Sequence, residues 1–427
     1  MQKFKFRTTN DGGINQKGKI IFHNGKELET PTCWFGLSLI ESKEFQLEVF
    51  KKANIEAFLS NAYDLYYTDK KKERQKLIKE LQRLEICHKM DSGGFQLMKA
   101  EISGKAHKFP LNQRLVLNKQ LEIQCECGVQ LDFPFGPNLN KKQKFKRLNK
   151  TFKNLGELII QIENKGIDFS FLPVIHTTSN DLELLEYSLK QLETILGKKP
   201  DIIGVGSLVP LVKRMKGTMK NNIENFLYTL ISLRRKLPGA FIHAFGIGGT
   251  MAYLAILAGI DSYDSNGWIQ KSAYGVIQLP GISDRFLRKE DHNRPYLITN
   301  RKQRNCKKAI NEIDMFMKCG CEACKPYYNE NWKDKNWKLK QKAFIGRAQQ
   351  PKKLRAIHNV SLYQSEILRI REEIINNNLL EFIKSRLKFS IYYKYIDFIE
   401  VLKEKDLDEL RDFPRLLEMI YNKKKKN

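Results

Sequence analysis

Apolar residues along this chain collect into short continuous runs, separated by longer stretches where they recur every three or four positions. Runs of the first kind read as buried strands, at 33–39, 57–62, 86–91, 129–133, 169–175, 202–205, 241–245 and 260–263. Stretches of the second kind read as amphipathic helices, with clear examples at 77–84, 150–165, 182–196 and 222–237. Strands alternating with helices in this way predict an α/β fold, a closed (β/α)8 barrel of the TIM type. An open doubly wound sheet is the competing arrangement, because alternation alone does not prove closure.

The polar residues that interrupt the pattern favour the barrel. Asp91, Asp132, His176, Gly206, Gly246, Gly248 and Asp264 all fall at or just beyond the C-terminal ends of expected strands. In a barrel those ends share one face, where active sites are assembled. The pattern changes near residue 300. We expect a catalytic barrel at 1–300, a metal-binding subdomain at 301–363 and a helical segment at 364–427 ending in the basic tail Lys423–Lys426.

Composition narrows the partners. The 427 residues carry 75 Lys+Arg against 48 Asp+Glu, a formal charge of +27, which points to a polyanion and first of all to nucleic acid. Basic stretches at 141–150, 213–220, 301–308 and 333–342 are the candidate phosphate contacts, though each alone also reads as a solvated face. A hydrophobic fraction of 41% suffices for a sizeable core. The first ten residues are basic and polar, unlike a signal segment, and the run at 251–260 is too short for a membrane span. Eight cysteines in so long a chain make no disulfide framework, so a cytoplasmic location is expected.

Three cysteines crowd into Cys319-x-Cys321-x-x-Cys324, a spacing suited to Zn²⁺. His358 is the expected fourth ligand, which would close a tetrahedron and make the metal structural; another ligand closing the site is the alternative. Cys125-x-Cys127 has no nearby partners and reads as structural. Asp91 and Asp264 are the candidate catalytic carboxylates, since breaking and remaking an N-glycosidic bond at one carbon can use a nucleophile and a general acid/base. Each could instead cap a helix. Gly93 and Gly94 offer a surface without Cβ atoms to a planar base, and Asp132 could bind its edge. The glycines of Ile203-Gly204-Val205-Gly206 and Phe245-Gly246-Ile247-Gly248-Gly249 suggest phosphate-binding loops.

Together these motifs resemble the tRNA-guanine transglycosylase superfamily. The matching segments are Asp91-Ser92-Gly93-Gly94-Phe95-Gln96, Gly204 to Pro210, His243 to Gly249, Tyr263-Asp264-Ser265, the cysteine set and Ile357-His358-Asn359, in family order over roughly residues 30–365. The resemblance implies a barrel with an inserted zinc subdomain, and exchange of guanine in a polynucleotide for a 7-deazaguanine. By it Asp264 is the nucleophile, Asp91 the general acid/base and Asp132 a base-recognition residue. Ser92, Gly93, Gly94, Phe95, Gln96, His176, Gly204, Gly206, Gly246 and Gly248 complete the expected substrate site.

Some segments differ from the bacterial tRNA enzymes. Val174-Ile175-His176-Thr177-Thr178 stands where those have a Gln-Gly-Gly segment, and Ser265-Asn266-Gly267-Trp268 follows the expected nucleophile. The archaeal enzymes continue into a long RNA-binding region, whereas here a short helical tail is expected. The pattern is more similar to the DpdA-like branch, which places 7-cyano-7-deazaguanine (preQ0) in DNA. That branch implies DNA as partner, with helper proteins of a DNA-modification system; tRNA is the alternative substrate. A non-catalytic nucleic-acid-binding subunit is a third reading, which the presence of both Asp91 and Asp264 disfavours.

Overall fold

Eight parallel strand positions close into a barrel, as the alternation predicts. The computed structural model describes residues 4–8, 13–104, 110–136, 139–177, 182–212, 222–286, 315, 318–325, 352–412 and 417–418. The expected basic stretches at 213–220, 301–308 and 333–342 and the lysine tail lie outside these residues. The barrel strands are β4 (Thr32–Gly36), β5 (Ala57–Asn61), β6 (Cys87–Asp91), β7 (Cys127–Val129), β8 (Phe171–Leu172), β9 (Val174–His176), β10 (Ile202–Gly206), β11 (Phe241–Ala244) and β12 (Ser262–Ser265). They form one nine-stranded parallel sheet that starts at β8 and finishes at β9.

Closure depends on Pro173, which separates β8 from β9 in what is one barrel position. Val129 pairs with Leu172 on one side and Gly204 with Val174 on the other. Proline has no N–H to donate, but its carbonyl still accepts from Gly204 N at 2.8 Å.

The N-terminal end of the barrel is sealed by a small antiparallel sheet of β1 (Lys5–Thr8), β2 (Gly18–Ile21) and β3 (Glu27–Thr30). Phe4, Ile20, Phe22 and Leu28 pack there against Trp34, Ala57, Cys87, Cys127, Ile202 and Phe241 at the starts of the barrel strands. Cys127 belongs to this apolar cluster, and burial pushes its thiol up to about 12. Cys125 lies in the main core with its pKa likewise raised by burial, so the Cys125/Cys127 pair serves packing. The other end of the barrel is left free for chemistry.

Helices ring the barrel in the phase that their sequence dictates. Lys141–Lys165 begins at Asn140, whose side chain caps it in a reciprocal arrangement with Gln143, and ends at Gly166 with φ +59°. It buries Leu148, Thr151, Phe152, Leu155, Leu158 and Ile162 at helical spacing and turns its lysines outward. Helix Leu182–Leu196 buries Leu184, Leu185, Ser188 and Leu192 in the same way.

After β12 come helix Gly267–Ala273 and the hairpin of β13 (Val276–Leu279) and β14 (Ile282–Phe286). Helix Lys352–Ile375 then packs along Lys43–Ala53 and reaches Met251–Leu257, where Glu366 accepts from Tyr253 Oη at 2.7 Å. It thus fills the place of the eighth outer helix, and the division expected between 363 and 364 falls inside it. Arg371 fastens this helix to the first strand pair through Glu56 at 2.8 Å and the Pro31 carbonyl at 2.8 Å. Helices Leu379–Leu387, Ile396–Glu404 and Leu407–Arg411 follow it. Among the described residues no helix is long and apolar enough to cross a membrane.

Candidate active site

Three aspartates meet at the C-terminal mouth of the barrel. Asp91 ends β6, Asp264 is the next-to-last residue of β12, and Asp132 follows β7. The chain leaves the sheet after Val129, earlier than the apolar run suggests. The segment beyond it is held by helix side chains instead: Leu131 N donates to Gln113 Oε1 at 2.7 Å and Phe133 N to Thr151 Oγ1 at 3.0 Å.

The turn after Asp91 is built around Asp132. Ser92 N donates to Asp91 Oδ1 at 2.9 Å, while Ser92 Oγ donates to Asp132 Oδ1 at 2.7 Å and accepts from Gly94 N at 3.1 Å. Gly93 has φ +90°, and a Cβ there would meet Tyr63 Cβ at 2.4 Å. A Cβ on Gly94 would lie 2.4 Å from both the carbonyl oxygen and Oδ1 of Asp132. The space that the sequence suggests for a flat base is therefore taken by Tyr63 and Asp132. Gly93 lets the loop close on Tyr63, and Gly94 lets it close on Asp132. Phe95 is exposed with Lys99 Nζ 4.4 Å from its ring centre, and Gln96 Oε1 is buried with no hydrogen-bond partner among the described residues.

His176 gains a clear role from its surroundings. It is fully buried, with Nε2 3.2 Å from Asp132 Oδ2 and Nδ1 3.1 Å from Ser207 Oγ. Gly206 makes room for the ring, since a Cβ there would sit 2.6 Å from Nδ1. Ser92 thus holds Asp132 through Oδ1, while His176 Nε2 lies beside Oδ2 without the alignment of a hydrogen bond.

The glycine segments behave differently from phosphate-binding loops. Gly204 lies within β10, and the space beside it is filled by the Phe245 ring, 2.5 Å from a would-be Cβ. Gly246, at φ +71°, directs its N–H to Asp264. Gly248 leaves room for Ser265 Oγ, 2.4 Å from a would-be Cβ. These glycines shape the walls around the nucleophile candidate.

Two residues that the sequence reading did not single out complete the site. Lys89, 1% exposed, projects from the same face of β6 as Asp91 and places Nζ 2.6 Å from His243 Nε2. His243 Nε2 is 3.0 Å from Asp264 Oδ1, and Nδ1 is 2.7 Å from Ser262 Oγ. The signal was a lysine in the middle of an apolar strand, in phase with Asp91.

The environments drive the two catalytic candidates apart. Burial, then the charges of Asp132 and Asp264, push Asp91 up to about 8 against the pull of Lys89 and the Ser92 N–H. Burial also works to raise Asp264, but the bond to His243, the Lys89 charge and the Gly246 N–H outweigh it and hold Asp264 below the usual carboxylate range. Burial and Lys89 push His243 down to about 4, so its imidazole is neutral at pH 7. One carboxyl is kept protonated and the other ionised, which is the division that acid and nucleophile require. Asp261, three residues before Asp264, is different. It is buried at the other end of β12 with Arg234 Nη2 at 2.6 Å and Ile242 N at 2.7 Å, a structural ion pair.

Away from the mouth, Cys319, Cys321, Cys324 and His358 bring their ligand atoms within 4.8 Å of one another. His358 Nδ1 lies 3.4, 3.7 and 3.4 Å from the three sulfurs. Tetrahedral Zn²⁺ with ordinary bond lengths would set such edges at about 3.5 Å. His358 Nε2 is 2.9 Å from the Gln278 carbonyl, to which it donates, leaving Nδ1 free to face the thiols. The four residues can hold a metal ion.

A barrel whose mouth pairs a protonated with an ionised carboxylate defines a candidate glycosyl-transfer site. The chain matches the queuine tRNA-ribosyltransferase family over residues 13–390 and belongs to it. It is 23% identical to the tRNA-guanine(15) transglycosylase of Pyrococcus furiosus, over 95% of this chain and 60% of that protein. To the Methanocaldococcus jannaschii protein of the same name it is 26% identical, over 89% of this chain and 52% of the relative. The Methanococcus maripaludis protein is 25% identical over 88% and 52%. The chain therefore spans between half and three fifths of the length of these relatives.

Proposed function

We propose that this chain is a guanine transglycosylase that exchanges guanine in tRNA for a 7-deazaguanine. The observation that carries the chemistry is the opposite displacement of Asp91 and Asp264 at one barrel mouth. Asp264 attacks the sugar C1′ as the C1′–N9 bond breaks, and guanine leaves with the Asp91 proton. The incoming base then gives its N9 proton to Asp91, N9 attacks C1′, and the C1′–O bond breaks to restore Asp264. Asp132, held by Ser92 and flanked by His176, binds the edge of the base.

The relatives' names support tRNA as the polynucleotide. The DNA reading draws in part on Ser265–Trp268, where Trp268 is fully buried and its Nε1 donates to the Gly36 carbonyl at 3.0 Å, so this one difference serves packing. Exposed Lys142, Lys146 and Lys150 follow one another at i, i+4 and i+8 from the mouth end of helix Lys141–Lys165, a track suited to phosphates. Cys319, Cys321, Cys324 and His358 would hold Zn²⁺ in a structural role, which would staple the segment around 319–325 to the outer helix.

The test is incubation with labelled guanine and either tRNA or DNA, then with preQ0, followed by mass spectrometry of the digested nucleosides. Modified ribonucleosides support the proposal. Modified deoxynucleosides alone would move the enzyme to the DNA branch, and no exchange on either would remove the catalytic reading.

The ionisation states set a pH dependence. Exchange, read as kcat/KM, should fall as pH rises through about 8, where Asp91 loses the proton it must deliver. It should fall on the acid side only once pH drops below the usual carboxylate range, where Asp264 becomes protonated. A rate that climbs through pH 9 would deny Asp91 the acid role.

Gly94→Ala should force Asp132 aside, because the new methyl meets it at 2.4 Å. The expected result is a loss of base affinity of about tenfold or more, with a stability cost of about 1–3 kcal/mol. Titration calorimetry with free guanine and thermal unfolding measure the two.

A further inference from the structure

Beyond its charge near Asp264, Lys89 has no step in the chemistry as described so far, yet its amino group lies inside the barrel. Its Nζ is 4.0 Å from Asp264 Oδ1 and 2.6 Å from His243 Nε2. The rings of Trp34 and Phe245 flank it, their centres 5.2 and 5.1 Å away. An apolar side chain of similar length would pack between those rings without the cost of taking a charge out of water. Packing alone therefore does not explain the ammonium.

The groups that face this pocket come from five strands. Asp91 shares β6 with Lys89, Cys33 comes from β4, Cys127 from β7, His243 from β11 and Asp264 from β12. Burial pushes the Cys33 and Cys127 thiols upward, so both stay neutral. With His243 neutral and Asp91 protonated, the Asp264 carboxylate is the counter-charge left for Lys89. Burial holds the Lys89 pKa below the ordinary lysine value, and Asp264 is the strongest of the influences that oppose it.

Resting on the transglycosylase reading, we propose that Lys89 is a positioning residue that holds Asp264 as a carboxylate and hastens its departure from the sugar. When Asp264 becomes an ester at C1′ its negative charge disappears, and Lys89 is left as a buried cation without its partner. Breaking the C1′–O bond restores the pair, with the electron pair returning to the Asp264 oxygen. Lys89 thus favours the second displacement, in which N9 of the incoming base takes the sugar and Asp91 takes its proton.

Lys89→Met keeps the length and removes the charge. An opposite charge at this distance shifts a carboxyl by about 1–3 pH units. The acid limb of kcat/KM should therefore move up by at least about one unit. The covalent enzyme–nucleic acid adduct, chased with excess free base, should also live several-fold longer than in the wild type. Lys89→Arg, which keeps the charge, should return the limb towards its wild-type position, an outcome that a purely packing role would not give. Lys89→Gln carries the same expectation as Lys89→Met and serves if the latter does not fold. An unmoved acid limb and unchanged adduct lifetime in a folded neutral variant overturn the inference while the transglycosylase reading stands. Absence of any adduct in the wild type overturns the transglycosylase reading itself.

Discussion

Asp264→Asn should lose guanine exchange by about 10⁴-fold or more, the scale of removing a nucleophile from a catalytic set that acts as a unit. The amide is isosteric, so His243 and Gly246 keep a neighbour of the same shape. What disappears is the oxygen that can carry the sugar. The covalent adduct should vanish with the activity, while binding of free guanine, which depends on Asp132 and the loop around it, should change little. Asp91→Asn makes the useful contrast. It removes the proton donor and leaves the nucleophile, so adduct formation slows without losing its site. Single-turnover exchange with gel detection of the adduct separates the two variants, and near-normal turnover by Asp264→Asn would sink the assignment.

The second large effect concerns the metal. Cys324 is buried and His358 Nδ1 is 3.4 Å from its sulfur. His358 also anchors to the Gln278 carbonyl, and the adjacent Asn359 accepts from Gln278 N at 2.9 Å and donates to the Val276 carbonyl at 3.1 Å. These bonds tie the hairpin and the outer helix together beside the candidate metal site. Cys324→Ser should reduce bound zinc from one equivalent to a small fraction and lower Tm by at least about 5 °C, given that structural zinc contributes many kcal/mol where it binds. Chelation of the wild type should lower Tm similarly, and zinc should restore it. Atomic emission and calorimetry check both. Full stability with no zinc bound would contradict the structural role.

The barrel was legible because each of its strands is buried on both faces and so reads as an apolar run. Asp91 and Asp264 were legible because they terminate such runs. The N-terminal sheet was not, since its four-residue strands carry Lys5, Arg7 and Glu27 on exposed positions and Lys19 and Glu29 on half-buried ones, and lack a continuous apolar signal. Lys89 and His243 were missed for a different reason. They meet across 154 positions of sequence, and only barrel closure brings β6 and β11 to the same interior. His176 was placed correctly at a strand end, but its partners Asp132 and Ser207 lie on other loops. The glycines were recognised, but not the side chains that pack beside them. A missing Cβ can admit a ligand or a neighbouring side chain, and sequence alone does not say which.

The claim on which the rest depends is that Asp264 carries the sugar. The direct measurement is to trap the complex of wild-type protein with tRNA, digest both components, and map the nucleoside adduct by mass spectrometry. The account predicts a sugar mass on the peptide containing Tyr263-Asp264-Ser265. An adduct on the peptide containing Asp91, or exchange that proceeds with no adduct at all, would contradict it.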